Sequence, residues 1–231
     1  MKKTDNSVGT KRVNRGNRPT WVISLAVLAA LILAAIFIPL GIVRSRGEVM
    51  VSYGSVTVRR DLYVYWLSAY KFAYLSAAKR QDSTAADTPA FWNGATESGR
   101  TRAEDVRADA DAWIRRIVFA ASLFEEDDSV LGAKTLDSLE DVYRRLLQYD
   151  LNTEKKFNRA AREIGFTYAT VRRALFYENE YYAYVSDFAD DADQFSYFCT
   201  LANSQVTLRA AAEKIDFVSL KTDERLYAKT N

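Results

Sequence analysis

Hydrophobic and polar positions divide the chain into one unbroken apolar run and a series of periodic segments. Trp21 to Val43 is 23 residues without a charge. As a helix it would span about 34 Å at ~1.5 Å per residue, against a hydrocarbon core ~30 Å thick. The run predicts a transmembrane helix, with Pro39 near its far end, where a kink is tolerated. Beyond it, Val49 to Val58 alternates in short β-branched pieces around Tyr53-Gly54 and predicts a β-hairpin. From Arg60 to about Ala78 the period becomes helical, with Leu62, Trp66, Ala69 and Ala73 on one face and Tyr63, Tyr70 and Tyr74 as a second ladder. A long polar loop carrying Phe91-Trp92 follows.

Thr101 and Glu104 have capping-box spacing and open a helix with Val106, Ala110, Trp113, Ile117, Ala121 and Phe124 on one side. Ser138 is the expected start of the next, with Leu139, Val142, Leu146 and Leu147 facing inward. Asn152 or Thr153 caps a short helix that Gly165 stops. Thr167 opens a helix to about Phe188 with two neighbouring apolar stripes, Val171, Ala174, Leu175, Tyr182 and Val185 beside Tyr177, Tyr181, Tyr184 and Phe188. Together they cover about half the circumference, wider than the ~100° stripe of an ordinary surface helix. The tail reads as a helix and then one strand over Lys214 to Asp223, for which the 49–58 hairpin is the only candidate partner. The expected fold is therefore mainly α, with a small hairpin and one C-terminal strand.

Charge adds topology. Lys2, Lys3, Lys11, Arg12, Arg15 and Arg18 precede the apolar run against a single acid, Asp5. This excess of positive charge predicts residues 1–20 as a cytoplasmic tail, 21–43 as the membrane span and 44–231 as an extracytoplasmic domain. A cleaved signal peptide is the rival reading; its apolar region is roughly 7–15 residues and ends in a small-x-small site. Here the run is longer and leads into IPLGIVRSR, which favours an uncleaved anchor. With the tail at +5 and the whole chain at +2, the rest is −3, so a basic surface for nucleic acid is not expected.

Composition removes several kinds of chemistry. There is no histidine, and Cys199 is the one cysteine. No Ser-His-Asp or Cys-His nucleophile, no His-ligated zinc and no intramolecular disulfide can be built. Ser68-Ala-Tyr-Lys71 spells S-x-x-K, yet no Lys-Thr-Gly or Ser-Asp-Asn accompanies it. Glu125/Glu126 and Asp190/Asp191 lack the spacing of a calcium loop and read as solvated acidic surface. Neither a catalytic residue nor a metal or cofactor site is expected.

In arrangement the chain resembles the N-terminal domain of extracytoplasmic chaperone-foldases of the SurA and PrsA type, over about residues 48–190. Their "V-x-V-N-G-x-x-I-T" hairpin corresponds to Val49-Met-Val-Ser-Tyr-Gly-Ser-Val-Thr-Val58. Their "F-x-x-x-x-x-x-x-G-(F/L)-(T/S)" segment corresponds to Phe157-Asn-Arg-Ala-Ala-Arg-Glu-Ile-Gly-Phe-Thr167, followed by Val171 to Leu175. Tyr53 departs from the turn asparagine. PrsA-type proteins are usually anchored through a lipidated cysteine, where this chain has its apolar run. Relatives carry a parvulin prolyl-isomerase domain whose site uses histidines, so the resemblance implies the chaperone half and not the isomerase.

The expected function is binding of non-native or extended polypeptide segments at the cell membrane, without catalysis. The competing expectation is an assembly module for one dedicated subunit of a membrane complex. Candidate peptide-binding residues are Tyr63, Tyr70, Tyr74, Phe91, Trp92, Tyr177, Tyr181 and Tyr184. Each could instead be a core residue packed on a neighbouring helix.

Overall fold

The computed structural model describes residues 47–148 and 151–227; the basic tail 1–20 and the apolar run 21–43 lie outside the described residues. Among the described residues no helix is long and apolar enough to cross a membrane. Residues 47–231 form one compact unit, mainly helical, with a two-stranded antiparallel hairpin.

Strands β1 (Val49–Tyr53) and β2 (Val56–Arg59) pair with Tyr53 opposite Val56. Gly54 turns the chain at φ +50°, and a Cβ there would sit 2.0 Å from Ser122 Oγ. Glycine is thus needed both for the left-handed conformation and for the close approach to a neighbouring helix. Among the described residues there are eight α-helices, α1 (Arg60–Gln81), α2 (Pro89–Trp92), α3 (Arg102–Glu126), α4 (Ala133–Leu146), α5 (Glu154–Ala161), α6 (Tyr168–Val185), α7 (Ala192–Gln205) and α8 (Ala210–Glu213).

Helix α3 is the centre of the fold, packed on α6, α1, α7 and the hairpin. Its capping box is formed, with Thr101 Oγ1 accepting from Glu104 N–H and Glu104 accepting from Thr101 N–H. Thr153 caps α5 by accepting from Lys156 N–H, and Thr167 forms a capping box with Thr170 at the start of α6. Gly165, at φ +112°, turns the chain between them.

Three expectations are corrected. Lys214–Asp223 is not a strand. Asp216 Oδ1 accepts from Val218 and Ser219 N–H, and this side-chain-closed turn breaks extended backbone. The β1 edge is met earlier, by a bridge from Val51 to Leu208 and by Arg209 N–H donating to Met50 O at 2.8 Å. Helix α4 begins at Ala133, so Ser138 lies inside it; its N-cap is Gly132, which offers no side-chain acceptor. Helix α6 ends at Val185, before Phe188.

The C-terminal segment is strapped to the body by one buried and one half-buried cation. Lys71, 1 % exposed, donates to Val218 O at 2.9 Å and Leu220 O at 2.6 Å and pairs with Asp87 at 3.0 Å. Arg107 donates to the carbonyls of Ala212 and Ile215. Phe217 meets the Trp92 ring edge to face, and Tyr227 stacks on Phe72.

Candidate functional site

Of the eight aromatic candidates, the structure makes three part of the core. Tyr63 is fully buried and donates to Asp111 Oδ1 at 2.5 Å. Trp92 is fully buried and donates through Nε1 to Asp87 Oδ1. Tyr181 is buried against Phe198 of α7. As placed, none of these can touch a partner. Tyr184 is half-buried in the same cluster, its ring 6.1 Å from Phe198.

The other four reach the surface. Tyr74 is 37 % exposed beside Trp92, and Phe91 lies half-buried under the Arg102 guanidinium. Tyr177 is half-buried on α6. Tyr70 is half-buried against Trp113, with ring centres 6.2 Å apart.

Trp113 lies on the apolar side of α3 and is only partly buried. It lies on the side of α3 that meets α1. Tyr70 and Trp66 flank it from α1. Arg116, one turn further along α3, reaches Cys199 of α7 at 3.8 Å. From α6, Glu178 accepts from Trp66 Nε1 at 2.8 Å, and Tyr182, one turn on, is 57 % exposed. Tyr70 and Trp113 thus form a partly open aromatic pair, with Asp109 and Arg116 both acting on Tyr70. Tyr182 belongs to the apolar stripe read from the sequence and is exposed, because that stripe is wider than its neighbours cover. Burial alone would not have singled out Trp113, because helical periodicity does not tell which flank of a broad stripe stays open.

Two carboxyls on α6 stand apart electrostatically. Burial pushes Glu178 up to about 7, against the opposing hydrogen bond from Trp66. Burial, and then the nearby Glu125 charge, push Glu180 up to about 7. Asp111 is also raised by burial, though Tyr63 and Arg107 pull the other way. Aspartates that cap turns and helices, Asp82, Asp191 and Asp216, are lowered by their hydrogen bonds.

Ser68 and Lys71 of the S-x-x-K pair are both engaged by other groups. Ser68 Oγ donates to Tyr65 O, and the Lys71 ammonium is held by two carbonyls and Asp87. Of the acidic pairs, Glu126 accepts from Ser122 and Asp191 caps α7. Among the described residues no group of three acidic or thiol side chains could hold a metal. Beside Asp191 the α6–α7 connection lines an open depression of about 630 Å³ with Ser186, Asp187 and Phe188. Compared with known protein families, characterised proteins and solved structures, the chain matches none.

Proposed function

We propose that this protein is a membrane-anchored, non-catalytic binder of extended or non-native polypeptide segments outside the cytoplasm. In this reading residues 21–43 are the anchor and the helical unit is a SurA N-like chaperone domain. The observation that carries it is the set of rings left partly open to solvent, Tyr70 against Trp113 where α1 packs on α3, and Tyr182 on α6. Such rings offer contact area at small conformational cost, and polar ends for main-chain groups. Each ring contributes at most ~25 cal/mol per Å² covered, offset in part by ordering of the bound segment. Weak, reversible, micromolar-type capture follows.

The test is light scattering by a heat-denatured client in the presence of residues 47–231. Several-fold molar excess should suppress scattering, and Tyr182→Ala, at an exposed site, should lessen protection without lowering the melting temperature. No protection by the wild type sinks the proposal. A single protein that copurifies stably, with no effect on clients, would replace it with the assembly-module reading.

A further inference from the structure

Residues 214–227 cross the body without α-helix or strand of their own, apart from a 3-10 turn at Glu224–Leu226. Ile215 and Phe217 point inward and are buried, with the exposed Asp216 between them; Leu226 and Tyr227 are buried further on. The body holds this strap largely through its main chain. Lys71 of α1 donates to the carbonyls of Val218 and Leu220, and Arg107 of α3 donates to those of Ala212 and Ile215. Four carbonyls on both sides of Phe217 thus accept from two body cations, and a main-chain carbonyl is the same group in every sequence.

Side chains add apolar anchors. The Phe217 ring meets Trp92 of α2 at 5.5 Å, and Tyr227 meets Phe72 at 5.1 Å and Tyr65 at 6.1 Å. Main-chain bonds that hold, with alternate side chains that select, are how a groove binds an extended peptide. The aromatic floor also continues past the strap. Phe91 lies 4.9 Å from the Trp92 ring and Tyr74 lies 6.0 Å from it, the first half-buried and the second 37 % exposed. These two rings are open while the strap is in place, so an arriving chain has a foothold beside Trp92.

Resting on the polypeptide-binding reading above, we infer that the groove along Lys71, Phe72, Trp92 and Arg107 is the main site for extended polypeptide, and that the 214–227 strap fills it as an internal ligand which a client displaces. The strap itself states the chemistry of the client: an aromatic or apolar side chain for the Trp92 ring, flanked by main-chain carbonyls for the two cations. Trp92, sealed as placed, becomes accessible once the strap leaves. Apparent affinity for clients is then reduced by the fraction of time the strap holds the groove.

The experiment uses the full chain in lipid nanodiscs and a carboxymethylated, permanently unfolded protein as client. Hydrogen exchange is followed by mass spectrometry with and without saturating client. Client should speed exchange at residues 217–226 about tenfold while α3 stays protected, since only the strap is released. A fluorescein-labelled peptide copying residues 212–227 gives a second reading by anisotropy. Phe217→Ser in the chain should raise the affinity of that peptide about tenfold by loosening the internal competitor. The same peptide with serine in place of its phenylalanine should bind poorly to either chain. The exchange measurement tests the wild type, whatever the stability of the variant. Client that comigrates with the nanodiscs without faster exchange at 217–226 overturns the inference and leaves polypeptide binding at the open rings intact. Equal peptide affinity of the wild type and a folded Phe217→Ser chain also overturns it. Strap protection that rises with protein concentration assigns the groove to the strap of a second copy, and overturns it as well. Client that neither comigrates nor alters exchange sinks both readings.

Discussion

At the scale of single residues, the domain depends on a few enclosed polar groups whose partners are specific. Lys71 is the clearest, its ammonium held by two carbonyls and one carboxylate with the Trp92 ring 5.2 Å away. Lys71→Met should lower stability by about 3 kcal/mol, because Asp87 and two carbonyls lose their donor together; a urea melt of residues 47–231 measures it. Glu178 and Glu180 act in the opposite sense. Both titrate near 7 in the folded state against an ordinary value of 4.5. Between those values the folded chain holds more protons than the unfolded one, so stability falls as pH rises through the window and levels off above it. The melting temperature should therefore be higher at pH 5.5 than at pH 8. Glu180→Gln should flatten part of that slope, and a profile that rises from 5.5 to 8 would contradict the assignment.

At the scale of elements, the question is which aromatic positions a helix spends on packing and which it leaves open. Helix α6 does both: Tyr181 packs on Phe198, while Tyr182 is exposed. Tyr181→Ala should cost about 3 kcal/mol, as large-to-small core changes do, whereas Tyr182→Ala and Tyr74→Ala should leave the melting curve nearly unmoved. Gly54→Ala should destabilise the hairpin by about 2 kcal/mol through its backbone conformation and the clash at Ser122. The local signals were legible where the chemistry is local: the Thr101–Glu104 box, the Thr167 cap and the Tyr53-Gly54 turn all lie within four residues of what they close. The start of α4 was not, because Gly132 leaves no side-chain trace of a cap. The tail was misread because Ile215 and Phe217 alternate like a strand, while the Asp216 side chain decides for a turn. The open flank at Trp113 and the enclosed Glu180 depend on which helices meet there, and a one-dimensional period does not carry that.

At the scale of the whole molecule, the proposed topology places the helical unit outside the membrane that residues 21–43 would cross. Cys199 is the one cysteine and is partly exposed. An impermeant maleimide should therefore label it in spheroplasts before the membrane is broken; labelling only after lysis would reverse the orientation. Residues 47–231 should also leave the isomerisation of a proline peptide at its uncatalysed pace of tens to hundreds of seconds, as a protease-coupled assay would show.

The grip of Lys71 on Val218 and Leu220 joins positions 147 and 149 residues apart, and so sets an order in time. A chain made and threaded from its N-terminus presents α1 long before the carbonyls that neutralise its buried lysine. Until they arrive, Lys71 stays hydrated and the C-terminal half of α1 lacks its closing partner, so a segment delivered late completes a helix formed early. A nascent chain stalled after Gln205 should be cut by added protease between residues 60 and 100, and one released at full length should resist there.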